Sequence, residues 1–199
     1  MLGGLGAFIS GPDHAVGERG PTSSVGLFCG SRPGQDPAIA ALAAAAGAAI
    51  AGRGWRLVYG GGEVGLMGVA ARAALAAGGA VLGIIPQRLL DHEVGKRDLS
   101  ELRVTSTMFE RKQLLIDEAD AFLALPGGLG TLDEILDAVT LRQLGYHDKP
   151  IVLLDHDGYW RGFHALLGGF VTAGFAEPSA TDLLELVPDL PAALARLGR

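Results

Sequence analysis

A glutamate follows a run of glycines in the segment Pro-Gly-Gly-Leu-Gly-Thr-Leu-Asp-Glu, which ends at Glu134. Thr131 and Glu134 stand three residues apart at the start of an amphipathic stretch. This is the spacing of an N-terminal capping box, which would give both side chains a purely structural role. Glu134 also shares a helical face with Ala138 and Leu141, so its carboxylate falls on a stripe that should be covered. Two interpretations follow, a helix cap or a carboxylate held between the core and a crevice.

Two cations lie close together in the segment Met108-Phe-Glu-Arg-Lys112. In a helix, Arg111 lies three residues after Met108 and four before Leu115, which puts its guanidinium on the stripe expected to pack on a sheet. One interpretation is that Arg111 and Lys112 lay their apolar stems on the core and extend their charged ends into water. The other is that both bind a phosphate, Arg111 through its planar fork and Lys112 as a point charge.

Many of the 31 glycines cluster in three loops that each follow a short apolar segment. These loops are Gly30–Gly34, Gly60–Gly65 and Pro126–Thr131. The last two lead directly into a predicted helix, so unpaired backbone N–H groups and helix N-termini would face one crevice, an arrangement that suits an anion. Glycine is also common in ordinary turns between strands and helices, but three converging loops favour a ligand site.

Short apolar segments alternate with longer amphipathic ones along most of the chain. The predicted strands are 25–29, 56–59, 80–85, 121–125 and 151–154, and the predicted helices are 37–51, 66–77, 107–118 and 132–144, with helical stretches from Tyr159 and Ser179. Strands that are apolar on both faces and separated by helices predict an α/β fold. We expect a Rossmann-like, doubly wound parallel sheet with helices on both faces, whose ligands bind beyond the carboxyl ends of the strands.

Composition narrows the class of protein further. Residues 1–23 are rich in Gly and Pro without a helical or strand period, so we predict a flexible tail followed by one domain over residues 24–199. An apolar content of 49% excludes an intrinsically disordered protein. The net charge of −6 argues against binding to a nucleic acid polymer or a membrane surface. A single cysteine, Cys29, and the lack of a signal-like or membrane-length apolar run favour a cytoplasmic protein.

Several common nucleotide motifs fit this chain poorly. Gly60, Gly62 and Gly65 match the G-x-G-x-x-G pattern, but the match follows the second predicted strand rather than the first. The next strand ends in Ile-Pro-Gln at 85–87, without the acidic residue that would bind a ribose hydroxyl. No segment carries the G-K-[ST] of a Walker loop, and no His/Cys cluster has metal-ligand spacing. The sequence therefore disfavours a nicotinamide enzyme, a Walker-type nucleotidase and a metal site.

The segment Leu125–Glu134 contains a PGGxGTxxE motif. Together with Met108–Lys112, it resembles the paired motifs of the Lonely guy family of cytokinin-activating phosphoribohydrolases. The resemblance covers residues 25–175, and its further matching segments are Phe28–Ser31, Tyr59–Gly68 and Gln143–Pro150. The paired motifs are specific for the family, whereas the glycine loop alone is shared with a wider superfamily of nucleotide binders. Members are often labelled lysine decarboxylases, but that chemistry needs a Schiff-base lysine, and Lys96, Lys112 and Lys149 have no supporting context.

The resemblance implies hydrolysis of the N-glycosidic bond of N6-modified adenosine 5′-monophosphates, which releases the free base and ribose 5-phosphate without a metal or cofactor. It implies that Arg111 and Glu134 are the catalytic residues and that the protein is a homodimer acting on a small nucleotide. The candidate substrate-binding residues, from the loops and the resemblance together, are Gly30, Ser31, Gly60, Gly61, Gly62, Met67, Glu93, Met108, Lys112, Gly127, Gly128, Leu129, Gly130, Thr131, Asp133 and Thr140. Phe109 replaces the family's histidine and Leu141 its common tryptophan, which leaves base preference open.

Bond cleavage between ribose and a purine passes through an oxocarbenium-like state, which a carboxylate stabilises while it orients water or attacks the anomeric carbon. A helix N-terminus favours the ionised form of Glu134, which predicts a base, nucleophile or electrostatic role rather than an acid role. Two non-enzymatic alternatives stay open. A carrier of a phosphorylated pterin such as the molybdenum cofactor would not need both Arg111 and Glu134, and a nucleotide sensor would bind without turnover.

Overall fold

The computed structural model describes residues 22–92 and 99–198. Within these residues, seven parallel strands form one sheet in the order β4-β3-β2-β1-β5-β6-β7. The strands are β1 Ser24–Phe28, β2 Arg56–Tyr59, β3 Val81–Pro86, β4 Glu101–Thr105, β5 Ala121–Ala124, β6 Ile151–Leu154 and β7 Glu185–Val187. The strand order runs outward in both directions from β1 and β5, so the topological switch point lies beyond their carboxyl ends.

Helices cover both faces of the sheet. The α-helices are α1 Pro37–Gly52, α2 Gly65–Ala76, α3 Gln87–His92, α4 Met108–Asp117, α5 Leu129–Gln143, α6 Arg161–Thr172 and α7 Leu190–Leu197, with 3₁₀ turns at His156–Gly158 and Pro178–Leu183. Helices α1, α2 and α7 share one core cluster, and α4, α5 and α6 contribute to the core on the opposite face. The predicted Rossmann-like fold in a single domain is confirmed.

The first face is packed by small side chains. Ala43, Ala46 and Ala70 are completely buried between α1, α2 and the sheet. A Cβ atom at Gly47 would lie 2.1 Å from the carbonyl oxygen of Ala70, so the two helix backbones touch directly at this glycine. Asp36 starts α1 because its side chain accepts a hydrogen bond from the Ala38 amide. Among all the residues that the structure describes, no helix is both long enough and apolar enough to cross a membrane.

Asp120 anchors the start of β1. One of its carboxylate oxygens accepts hydrogen bonds from the backbone N–H and the hydroxyl of both Ser23 and Ser24. Burial raises the pKa of Asp120, but these four hydrogen bonds outweigh burial and hold the pKa below its ordinary value. Just before, the Thr22 hydroxyl donates to the carbonyl of Leu197 at the end of α7. Residues 1–21 of the predicted tail lie outside the described part of the chain, so the tail stays a prediction.

The structure corrects the predicted elements in three places. The edge strands β4 and β7 and the short helix α3 were not predicted, because both strands carry half-exposed or exposed charged residues and lack a continuous apolar run. The helical stretch predicted from Ser179 is instead the 3₁₀ turn Pro178–Leu183, followed by β7 and α7. Helix α5 begins at Leu129, three residues before its predicted start.

Candidate active site

A crevice of about 660 Å³ opens beyond the carboxyl ends of β1 and β5. The predicted site residues that line it are Gly30, Ser31, Gly60, Met67, Arg111, Gly127, Gly128, Leu129, Gly130, Thr131 and Glu134. Backbone hydrogen bonds fasten its loops to one another. The Gly30 N–H donates to the carbonyl of Pro126 at 3.2 Å, and the Leu66 N–H donates to the carbonyl of Gly30 at 3.0 Å. The predicted convergence of the three glycine loops is confirmed.

The N-terminus of α5 forms one wall of this crevice. Gly128 is its N-cap residue, and no side chain caps the helix. Thr131 is the third residue of α5 and Glu134 the sixth, so the capping box suggested by their spacing is wrong. Because the first amides of a helix lack carbonyl partners within it, the end of α5 offers unpaired N–H groups and a partial positive charge to an anion in the crevice.

Arg111 and Glu134 meet in the crevice. Arg111 is buried in α4, where its Nε donates to the carbonyl of Ile84 at 3.2 Å and its Nη2 to the carbonyl of Gly60 at 3.4 Å. The same Nη2 lies 3.3 Å from Oε1 of Glu134, whose side chain is 14% exposed. The expectation that both side chains face one crevice is confirmed, and their roles in a reaction stay proposals.

Burial raises the pKa of Glu134 to about 7. Arg111 and Lys112 act in the opposite direction, while Asp133 and Asp137 raise the pKa further. The expectation that a helix N-terminus would favour the ionised form is therefore wrong. Burial decides the direction, and the helix terminus offers little opposition, because its field fades beyond the first turn and Glu134 lies in the second turn of α5.

Lys112 forms ion pairs with two carboxylates of α5, those of Asp133 and Asp137. Its Nζ lies 2.7 Å from Oδ2 of Asp137 and 3.2 Å from Oδ2 of Asp133, and it stands over the ring of Phe109. Hydrogen bonding to Asp137 is the main cause that raises the pKa of Lys112. These contacts tie α4 to α5 and leave the lysine outside the crevice lining.

The remaining predicted site residues do not line the crevice or lie outside the described residues. Gly61, Gly62, Met108, Lys112, Asp133 and Thr140 are absent from its walls, and Glu93 falls in the part of the chain that the structure does not describe. Cys29 lines the crevice as a buried thiol, and burial, followed by the charge of Glu134, raises its pKa. A thiol of this kind stays protonated and is a poor nucleophile.

Tyr159 lines the crevice and was missed by sequence reasoning. Its hydroxyl donates a 2.6 Å hydrogen bond to the carbonyl of Gly127. The available signal was its place shortly after β6, since β6 neighbours β5 and the carboxyl ends of neighbouring parallel strands share one edge.

The sheet is Rossmann-like, and its switch point holds an uncapped helix N-terminus beside a buried carboxylate and guanidinium. These features define an α/β protein with a crevice whose shape and helix terminus suit an anion. The chain belongs to the Lonely guy family of cytokinin riboside 5′-monophosphate phosphoribohydrolases, which are hydrolases of N-glycosidic bonds. A family model described as "Possible lysine decarboxylase" matches residues 67–197. Neither Lys112 nor Lys149 lines the crevice, so these two lysines give that description no support.

Named relatives support this membership over most of the chain. A cytokinin riboside 5′-monophosphate phosphoribohydrolase of Mycobacterium tuberculosis is 48% identical over 171 residues, which is 86% of this chain and 91% of that protein. One from Arabidopsis thaliana is 40% identical over 162 residues, 81% of this chain and 75% of that protein. The molybdenum cofactor carrier protein of Chlamydomonas reinhardtii has a TM-score of 0.68 at 23% identity, covers 89% of this chain and 95% of its own, and shares the fold alone.

Proposed function

We propose that this protein hydrolyses the N-glycosidic bond of adenosine 5′-monophosphates, including N6-modified ones, and releases the base and ribose 5-phosphate. The observation that carries the proposal is the Arg111–Glu134 pair, 3.3 Å apart, in the same crevice as the uncapped N-terminus of α5. The names of the relatives supply the reaction class, and the crevice supplies a helix N-terminus for the phosphate and a carboxylate for the reacting carbon.

The 5′-phosphate belongs at the start of α5. Gly128 and Gly130 leave open space there, because a Cβ atom at either position would have no neighbour within 4 Å. The first amides of α5 then act as donors to the phosphate oxygens, strengthened by the helix dipole. Nucleosides that lack the phosphate should therefore be poor substrates.

Glu134 acts on the water that attacks the sugar. Its carboxylate takes a proton from the water as the oxygen forms a bond to the anomeric carbon. The bond from that carbon to the purine nitrogen breaks, its electron pair stays on the base, and the base takes a proton from solvent. A pKa of about 7 suits this step, since a general base works best when its pKa lies near the operating pH. Arg111 holds the carboxylate in place and offsets its charge.

Base release from AMP and from isopentenyladenosine monophosphate, measured by chromatography, tests the proposal. Glu134→Gln should reduce release by about 10²- to 10⁴-fold, the usual contribution of a general base. Glu177→Gln, at an exposed carboxylate, serves as the matched control and should leave the rate unchanged. For the wild type, kcat/KM should rise with pH through about 7 as Glu134 loses its proton.

Two outcomes would contradict this proposal in different ways. Tight binding of AMP by the wild type without base release would favour a carrier or sensor. A kcat/KM that falls with pH through about 7 would keep the hydrolase and make Glu134 the acid.

A homodimer in the cytoplasm fits the remaining observations. The helices α4, α5 and α6 and their loops expose large apolar side chains, namely Phe109, Leu136, Leu144, Tyr146, Leu166, Phe170 and Phe175. Apolar surface of this kind on one side of a sheet is typical of an interface between copies of a chain. Sedimentation analysis should give a mass of two chains, and a single-chain mass would contradict the dimer. The free thiol of Cys29 fits a reducing compartment.

A further inference from the structure

Tyr159 is held on a rigid segment that follows β6. Asp155 fixes this segment, because its carboxylate accepts hydrogen bonds from the Trp160 N–H at 2.8 Å and from Nε of Arg161 at 3.1 Å. Its own N–H donates to the carbonyl of Val187 at 2.8 Å. The ring of Trp160 is buried and meets the ring of Tyr159 edge to face, with centroids 5.0 Å apart. The tyrosine therefore reaches the crevice from a well-supported base.

The hydroxyl of Tyr159 binds the loop that precedes α5. It donates to the carbonyl of Gly127 at 2.6 Å, while the preceding carbonyl, that of Pro126, accepts from the Gly30 N–H at 3.2 Å. Two successive carbonyl oxygens are thus engaged by protein donors. Since carbonyl oxygens repel an anion, this arrangement keeps their negative ends away from a phosphate at the start of α5.

The same hydrogen bond fixes a donor. A peptide unit is planar and trans, so the Gly128 N–H points opposite to the Gly127 carbonyl that Tyr159 holds. The start of α5 packs closely against Gly127, because a Cβ atom built on this glycine would lie 2.1 Å from Oγ1 of Thr131. One hydroxyl therefore sets the direction of the amide at the N-cap of α5.

We propose that Tyr159 is a positioning residue of the phosphate site, which orients the Gly127–Gly128 peptide so that the start of α5 presents N–H groups and no carbonyl oxygen to the phosphate. This inference rests on the proposed function for the identity of the anion. It adds a residue from the segment between β6 and α6 to a crevice whose other lining residues all lie between Cys29 and Glu134.

Tyr159→Phe tests the inference, since it keeps the ring and removes the hydroxyl. We expect KM for AMP to rise about 3- to 10-fold with kcat nearly unchanged, the effect of losing one hydrogen bond. Inhibition by the product ribose 5-phosphate should weaken by the same factor, and inhibition by free adenine should not change. Ser179→Ala, which removes an exposed hydroxyl from the turn Pro178–Leu183 away from the crevice, is the control.

Comparing AMP with adenosine, which lacks the phosphate, separates a positioning role of Tyr159 from a general loss of structure. If Tyr159→Phe changes the kinetic constants for AMP and adenosine equally, or changes neither, the inference is wrong. If the wild type shows no turnover, calorimetric binding of AMP and adenosine gives the same comparison. A selective loss of AMP affinity would then support the role of Tyr159 even though the proposed hydrolysis had failed.

Discussion

The loop from Gly60 to Gly65 and the loop from Pro126 to Gly130 both join a buried strand to a helix N-terminus, yet a side chain added to their glycines would meet different surroundings. In the first loop, a Cβ at Gly60 would lie 1.9 Å from Nη2 of Arg111. A Cβ at Gly65 would lie 2.3 Å from the backbone oxygen of Ser31, and the φ of Gly65 is +65°. These glycines are required by the packing of the protein on itself.

The second loop is different at the positions that begin α5. A Cβ at Gly128 or Gly130 would meet nothing within 4 Å, and neither glycine has a positive φ. Both line the crevice, so the absent side chains leave room that the protein does not fill. The G-x-G-x-x-G match at Gly60–Gly65 thus marks packing against Arg111 and Ser31, and the open space lies at the loop that lacks this pattern.

Gly65→Ala is expected to have the largest effect, and that effect is on folding. The left-handed conformation and the overlap with Ser31 together should lower the free energy of unfolding by about 3 kcal/mol. Urea unfolding measures this change. Gly52→Ala is the matched control, because a Cβ at the end of α1 meets open space and Gly52 has no positive φ. If Gly65→Ala lowers the free energy of unfolding no more than Gly52→Ala does, the conclusion that packing requires the glycines of this loop is wrong.

Gly60→Ala should act on catalysis. The added methyl group displaces the Arg111 guanidinium from its contacts with the Gly60 carbonyl and Glu134, and a shift of about 1 Å at a reacting group can cost about 10²-fold in rate. Because Arg111 lowers the pKa of Glu134, its displacement should also move the rise in kcat/KM to higher pH. Unchanged kinetics with a normal pH profile would mean that the position of Arg111 does not matter.

Much of this arrangement could be predicted from local pattern. The alternation of apolar and amphipathic segments indicated the parallel sheet, and a parallel sheet brings the loops after its strands to one edge. Arg111 was recognisable because a guanidinium on an otherwise apolar stripe must either reach water or find a partner. Its partner is Glu134, a residue singled out for the same reason.

The properties that sequence could not supply depend on contacts between distant segments. Leu129 and Gly130 look like loop residues, so the true start of α5 and the shifted pKa of Glu134 were not predictable from spacing. Tyr159 donates a hydrogen bond to a carbonyl 32 residues away, and no local pattern marks that contact. The edge strand β4 carries alternating polar residues and becomes a strand through its register with β3.

Gly130→Ala gives the smallest expected effect and the sharpest test of the comparison. Alanine is favoured over glycine inside a helix by about 0.5–1 kcal/mol, and it meets no neighbour here, so the free protein should be as stable as the wild type or slightly more so. The methyl group would enter the space assigned to the phosphate, and KM for AMP should rise about tenfold, as for one misplaced methylene in a fitted site. Urea unfolding and steady-state kinetics on the same preparation measure both. An unchanged KM for AMP would mean that the phosphate does not lie at the start of α5, and the contrast between the two loops would then lose its meaning for function.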